Sequence, residues 1–170
     1  MVDHKINQVD DYGFTALQYA VYANNLDLVR SLISQGADLE KADFDGLTPL
    51  HRAAYWNRVE IAKVLIDAGA NIQALAADNS TLLHRAVSGG AVEMVQFLLT
   101  QKIDVNALDS HQDTALDYAK KMIYHHKPLI SLSELLISAC SSADEPIKPE
   151  SEVANKEAAY QEIIQLLTDN

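Results

Sequence analysis

The side chains with the greatest chemical reactivity in this 170-residue sequence are its histidines and its one cysteine. His51 and His84 stand 33 residues apart, His125 and His126 are adjacent, and Cys140 is alone. A histidine can act as a general base or a metal ligand, and a thiolate can act as a nucleophile. Adjacent residues do not share a helix face, and no cationic residue stands near Cys140 to activate it. We therefore assign no catalytic residue, no metal site and no cofactor.

The charge balance also restricts the partners. The chain has 24 acidic and 13 basic residues, a formal net charge of −11, which disfavours nucleic acid and anionic membranes because phosphates repel such a field. Apolar residues make up 48% of the chain, enough for one folded domain. No apolar run is long enough to span a membrane or serve as a signal-peptide core. We expect a cytoplasmic monomer; export without a signal peptide, as for a bacterial effector, is the alternative.

A 33-residue period organises most of the sequence. Threonine, leucine and alanine each recur in phase across four units, which chance does not explain. The three columns are Thr15, Thr48, Thr81 and Thr114; Leu17, Leu50, Leu83 and Leu116; and Ala20, Ala53, Ala86 and Ala119. The chain is therefore predicted to be a tandem array of similar structural units.

Each unit contains the signals for two helices. Thr48 precedes Pro49, an N-cap hydroxyl followed by the proline that the first helical position tolerates. A short apolar segment follows and stops at Asn24, Asn57 or Gly90, residue types that tolerate a left-handed backbone. A second segment with helical apolar spacing comes next, and an extended loop leads into the following unit. Such units bury their apolar faces only by stacking.

Three segments resemble ankyrin repeats: DFDGLTPLHRAA at 43–54, AKVLIDAGAN at 62–71 and TLLHRA at 81–86. The resemblance implies an all-α solenoid of helix-turn-helix units with short β-hairpin fingers. It also implies a non-enzymatic module that binds another protein through the concave surface formed by the fingers and first helices. In this family the histidine of the TPLH motif, here His51 and His84, has a structural role.

The repeats are predicted at about 10–42, 43–75, 76–108, and 109–126 plus 156–168, with an insertion at 127–155. The last assignment depends on EIIQLL at 162–167, which matches EMVQFL at 93–98 although 69 residues separate them. In the alternative assignment, a helix at 131–139 is the second helix of the fourth repeat and the last helix is an added cap.

Regularity decreases at both ends of the array. Gln18 and Asp117 replace the motif histidine in the first and last repeats. Gln112 stands where the finger turn has glycine, and Lys102 replaces the glycine after the third helix pair. Glutamine tolerates the left-handed conformation poorly, so we expect a conformational cost at residue 112.

The 33-residue spacing transfers the usual partner contacts of this family to the finger tips and first helices. Six of the chain's 11 aromatic residues fall there in the first two repeats, which indicates an aromatic contact surface. Acidic residues around it favour a protein partner with basic residues around an apolar centre. Alternatively, Tyr22, Tyr55 and Trp56 pack against neighbouring fingers. The predicted contact residues are Tyr12, Phe14, Tyr22, Phe44, Asp45, Leu47, Tyr55, Trp56, Asp78, Ser88 and His111.

A second function stays open. The sequence begins in the middle of a finger, because residues 5–7 align with residues 104–106. The alternative is therefore a fragment or subunit of a larger protein, in which the 127–155 insertion carries a separate activity. An enzyme would need polar residues that converge in a pocket, and the sequence contains no motif that predicts such a set.

Overall fold

A computed structural model describes residues 6–123 and 150–169, and all regular secondary structure within these ranges is helical. The described helices, in chain order, are α1 (Ala16–Tyr22), α2 (Leu26–Ser34), α3 (Pro49–Tyr55), α4 (Val59–Asp67), α5 (Leu82–Ser88), α6 (Val92–Thr100), α7 (115–123) and α8 (Glu150–Thr168).

The helices form two rows. The first helices α1, α3 and α5 pack against one another in sequence, and the second helices α2, α4 and α6 form the other row. Each first helix also packs against the second helix of its own unit, and α8 packs against α6. The four alanines of the repeat column are buried between these helices. The structure is therefore the expected all-α solenoid, with small residues at the packing seam.

Threonine side chains start the first helices, as predicted. Thr15, Thr48 and Thr81 each accept a hydrogen bond from the backbone N–H three residues further along. Thr114 accepts one from the N–H of Asp117 in the same way, at 3.1 Å. These hydroxyls satisfy backbone donors that a helix start otherwise leaves unpaired.

The predicted left-handed positions occur between the helices of each pair. Asn24, Asn57 and Gly90 have φ values of 53°, 56° and 65°. Lys102 and Gln112, which replace glycines, also have positive φ values, 55° and 63°. The repeat geometry therefore imposes this backbone conformation even where the side chain disfavours it.

The fingers are tight turns. No strand occurs within 6–123 or 150–169, so the β-hairpin part of the expectation is not seen in those residues. In the second finger the N–H of Asp43 donates to the carbonyl of Leu47 at 3.1 Å, and the N–H of Gly46 donates back to Asp43 at 2.9 Å. The Asp43 carboxylate accepts from the N–H groups of Asp45 and Leu47. A side chain thus supplies bonds that a longer strand ladder would otherwise provide.

Several expectations fall on residues outside the described ranges. The alternative helix at 131–139, the adjacent histidines His125 and His126, and Cys140 all lie between 123 and 150. Across the described residues, no helix combines the length and the apolar character that a membrane crossing needs. The repeat boundaries stay a prediction.

Candidate functional site

Three aromatic side chains lie together at the carboxyl ends of the first helices. Tyr22 ends α1, Tyr55 ends α3, and Trp56 follows as the C-cap of α3. The ring centres of Tyr22 and Trp56 are 4.9 Å apart at 69°, and those of Tyr55 and Trp56 are 6.2 Å apart at 77°. Both pairs have the edge-to-face geometry that aromatic rings prefer. We call Tyr22, Tyr55 and Trp56 the aromatic cluster.

The aromatic cluster is partly packed and partly exposed. Trp56 is half-buried and contacts the core, whereas Tyr22 is 60% exposed and Tyr55 is 40% exposed. The alternative in which these rings pack against neighbours therefore applies in part to Trp56. It does not account for Tyr22, which presents most of its surface to solvent.

Arg52 connects the aromatic cluster to the fingers. Its guanidinium lies 5.1 Å from the ring centre of Phe14 and 5.7 Å from that of Trp56. The same group pairs with the buried carboxylate of Asp43 at 2.7 Å and the exposed carboxylate of Asp45 at 2.9 Å. The arginine thus fixes two aromatic rings and one finger relative to each other through cation–π and charge-assisted contacts. The sequence analysis did not identify Arg52 as a contributor.

The 33-residue spacing contained a signal for this arginine. Arg85 occupies the equivalent position in the next repeat and pairs with Asp78 at 2.7 Å. Burial raises the pKa of Asp78, but hydrogen bonds from Ser80 and Arg85 outweigh it, so the pKa lies below its ordinary value. Each arginine therefore holds an ionised finger aspartate in place.

The finger tips present exposed aromatic and acidic groups. Tyr12 is 71% exposed and Phe44 is 74% exposed. Phe44 lies over Gly13 of the preceding finger, since a Cβ at Gly13 would fall 2.9 Å from the Phe44 ring. Asp45 beside it is exposed. Two predicted contact residues therefore lie on adjacent fingers, as the 33-residue spacing implies.

Two predicted residues lie further along the array. His111 is exposed at the fourth finger, with its ring 3.6 Å from Asp109. Ser88 is half-buried at the end of α5, and its carbonyl accepts a hydrogen bond from Tyr160 of α8 at 3.4 Å. Ser88 is therefore near α8, away from the finger tips.

The assignment of Leu47 as a contact residue requires correction. Leu47 is only 5% exposed, and its carbonyl accepts a 2.9 Å hydrogen bond from Gln18 in the preceding repeat. The residue alternates with exposed neighbours at the finger and belongs to the junction between repeats. Its side chain is not available to a partner.

A row of exposed apolar side chains was also missed. Val9, Leu75 and Leu108 are 42%, 56% and 49% exposed, and each directly precedes a finger turn. Ala42 occupies the same position in the second repeat. The common spacing of 33 residues could have shown this row, whereas its exposure required the structure.

The finger aspartates are hydrogen-bond acceptors within their own turns. Asp10 accepts from the N–H groups of Tyr12 and Phe14, and Asp109 accepts from those of His111 and Asp113. These carboxylates form part of the turn, so their charge has a structural explanation.

The hydroxyl of Tyr19 donates a further hydrogen bond to Asp10. This bond, with those of the turn, lowers the pKa of Asp10, and the same pairing raises the pKa of Tyr19. Asp10 therefore stays ionised well into the acidic range and gives the first finger tip a negative charge.

The motif histidines are structural in their contacts. The Nδ1 atoms of His51 and His84 lie 2.9 Å from the hydroxyls of Thr48 and Thr81. His84 also reaches the carbonyl of Asp113 in the next finger through Nε2, at 3.0 Å. Both side chains are therefore occupied in joining a helix start to the following repeat.

Burial and the nearby Arg85 charge lower the pKa of His51 to about 4. Its Nε2 faces the backbone of Ala74 and Ser80 without meeting either in good hydrogen-bond geometry. The ring is therefore neutral at physiological pH. Within 6–123 and 150–169, no group of three His, Cys, Asp or Glu side chains has an arrangement suited to a metal ion.

These features define a class of protein: a helical solenoid of 33-residue units whose projecting turns and first helices form a surface. Models of ankyrin repeats match residues 1–76 and 65–119. The chain belongs to the ankyrin repeat family. Ankyrin repeats are generally protein–protein interaction modules and are typically non-catalytic. No curated protein matches this chain.

Proposed function

We propose that this chain is a non-enzymatic adaptor that binds a protein partner through its finger tips and first helices. The observation that carries the proposal is the aromatic cluster, in which Tyr22 and Tyr55 stay exposed around Trp56. Large aromatic residues are common anchors of protein interfaces. An arginine already paired on two sides holds the cluster in place, so little ordering is needed on binding.

The charge around the aromatic cluster suggests what the partner carries. Asp11 and Asp45 are exposed at the first two finger tips, and Asp10 stays ionised beside them. Arg52 is largely covered by its own partners and so contributes little positive charge to the surface. We infer that the partner presents basic residues around an apolar centre.

Truncation of the aromatic cluster tests the proposal. Trp56→Ala and Tyr22→Ala should each weaken binding at least about tenfold, or about 1.4 kcal/mol, because each removes an anchor. Wild type and variants serve as baits in native lysate. A captured protein is then purified, and its affinity for each form is measured by calorimetry.

Leu28→Ala provides the matched control. Leu28 is an exposed apolar residue on α2, in the other row of helices, and its truncation should leave affinity unchanged. Thermal unfolding verifies that each variant stays folded; Tyr22→Ala guards against instability of Trp56→Ala, since Tyr22 is the more exposed. If both aromatic variants bind normally and substitutions within 129–140 abolish binding, the contact surface lies on the insertion.

A further inference from the structure

The aromatic cluster continues into a groove beside α8. The groove has a volume of about 430 Å³ and is open to solvent. Two rings of the aromatic cluster, Tyr55 and Trp56, form one side, and Lys156 and Tyr160 of α8 form the other. The floor consists of Ser88, Gly89, Gly90 and Ala91, with Asn57 at the edge.

The groove exists because residue 89 has no side chain. Position 89 is equivalent to Trp56 in the second repeat and Ala23 in the first. A Cβ at Gly89 would lie 1.9 Å from the carbonyl oxygen of Tyr55, so the two backbones approach too closely for any other residue. The close approach leaves the space above Gly89 and Gly90 open between the aromatic rings and α8.

Lys156 is the only charged residue that lines this groove. Its ammonium group forms no ion pair with any acidic residue in 6–123 or 150–169. The cations nearer the fingers differ: Arg52 pairs with Asp43 and Asp45, Arg85 with Asp78, and Lys121 with Asp113. An unpaired ammonium beside aromatic rings is therefore unusual on this acidic surface.

A second groove of about 660 Å³ adjoins the first on the other side of Lys156. It is lined by two carboxylates, Glu93 and Glu162, which accept hydrogen bonds from Asn57 and Gln96. The hydrogen bond from Asn57 lowers the pKa of Glu93, so this carboxylate is ionised. An anion would be repelled there, and its favourable place is the aromatic side of Lys156.

We propose that the groove above Gly89 binds a carboxylate side chain of the protein partner, paired with Lys156. The residue next to that carboxylate is apolar and packs against Tyr55 and Trp56. The partner segment then continues towards the acidic finger tips with basic residues. This proposal rests on the proposed function and adds a polarity to it: the partner segment is acidic at the α8 end and basic at the finger end.

A peptide display library of random 12-residue peptides provides the probe. Selection on the full chain should enrich peptides with Asp or Glu on one side of an aromatic or aliphatic residue and Lys or Arg on the other. Selection on Lys156→Glu should lose the acidic enrichment and keep the basic and apolar residues. Lys63→Glu, an equal charge change on α4, should select the same peptides as wild type.

The affinity of one selected peptide gives a second readout. Lys156→Gln should weaken its binding at least about fivefold at low salt, and by less at high salt, because a partly exposed ion pair is screened. Lys63→Gln should bind as wild type does. Replacement of the peptide's carboxylate by its amide should abolish the difference between wild type and Lys156→Gln.

The outcomes separate the two proposals. Peptides that depend on Trp56 but carry no enriched carboxylate, or that bind Lys156→Glu unchanged, would overturn the Lys156 proposal and leave the adaptor function standing. Failure to select any peptide that depends on Trp56 or Tyr22 contradicts both proposals.

Discussion

At the scale of single residues, one position in each repeat joins that repeat to the next. Gln18 donates through its side chain to the carbonyl of Leu47, and His84 meets the carbonyl of Asp113 in the same way. Each of these side chains also contacts the threonine that caps its helix. His51 occupies the same position in the second repeat, but its Nε2 finds no well-aligned partner. This column is therefore a structural joint whose side chain can be glutamine or histidine.

The first prediction concerns the pH dependence of stability at His51. The folded state lowers its pKa to about 4, so between pH 6.5 and 4 the unfolded chain binds a proton that the folded chain does not. Stability is complete above pH 6.5 and decreases as the pH falls towards 4, by about 3 kcal/mol in total. His51→Gln should remove this contribution, because Gln18 shows that an amide fits the joint.

Urea unfolding at pH 7.5 and pH 4.5 measures the effect. The free energy of unfolding of wild type should fall more than that of His51→Gln, and the difference between them isolates residue 51 because the carboxylates titrate in both. A pH-independent difference would show that the folded state does not disfavour the charged ring.

The second prediction concerns the strained backbone at Gln112. This residue has a φ of 63° at the fourth finger turn, where Gly13 and Gly46 occupy the equivalent positions. Gln112→Gly should raise the free energy of unfolding by about 0.5–1 kcal/mol, because glycine adopts this conformation without steric cost. Gln112→Ala is the control: it removes the same exposed side chain, keeps the Cβ, and should change stability little. Equal effects of the two substitutions in urea unfolding would contradict the explanation.

At the scale of secondary-structure elements, α8 is the part of the array that sequence spacing places least directly. We propose that α8 is the second helix of the fourth repeat. It packs against α6, and Tyr160, Ile163 and Leu167 are buried there. In the alignment of 162–167 with 93–98, Ile163 corresponds to Met94, which is also buried. A long insertion is tolerated in such a position because the entropy of loop closure grows slowly with length.

The third prediction tests this assignment through hydrogen exchange. Amides of 160–167 should exchange within about tenfold of those in α6, because both helices would open only with the array. A chain whose residues 127–149 are replaced by a Gly/Ser linker of equal length should keep this protection and its unfolding free energy within about 1 kcal/mol. Fast exchange in 160–167 of the natural chain would contradict packing on α6, and loss of protection only in the linker chain would favour a helix at 131–139 as the second helix.

At the scale of the whole molecule, stability comes from stacking between neighbouring units. The buried residues form one continuous cluster from Leu17 in α1 to Leu167 in α8, so no unit has a separate core. Side chains reinforce the junctions: the carboxylate of Glu40 accepts from the N–H of Asn71, and the Asn57 amide oxygen caps α6 through the N–H of Met94. An array of four such units is short enough to unfold as a single cooperative unit.

The fourth prediction follows from that cooperativity. Ile163→Ala should lower the free energy of unfolding of the whole array by about 2–4 kcal/mol, since Ile163 is fully buried between α8 and α6. Ile164→Ala is the control: it removes the same atoms from a half-buried neighbour and should cost about 1 kcal/mol or less. The chain has one tryptophan, Trp56 in the second repeat, so its fluorescence reports on a region distant from α8. A shift of the circular dichroism transition without a shift of the Trp56 transition would show that α8 unfolds separately.

The sequence by itself determined the repeated local structure. The threonine caps, the left-handed Asn24, Asn57 and Gly90, and the buried alanine column all follow from short-range chemistry that the 33-residue period repeats. The same spacing correctly brought Tyr22, Tyr55 and Trp56 near one another. Backbone sterics, capping and helical periodicity act within a few residues, so they can be read without knowledge of the neighbours.

Only the tertiary structure decided which of these side chains are accessible. Leu47 and Phe44 both belong to the second finger, yet one is buried at a repeat junction and the other is exposed over Gly13. The pairing of Arg52 with Phe14, Trp56 and two aspartates, and the groove between Gly89 and Lys156, likewise depend on how neighbouring repeats and α8 approach. Exposure and charge pairing are properties of surfaces in contact, and those surfaces come from residues that are distant in the chain.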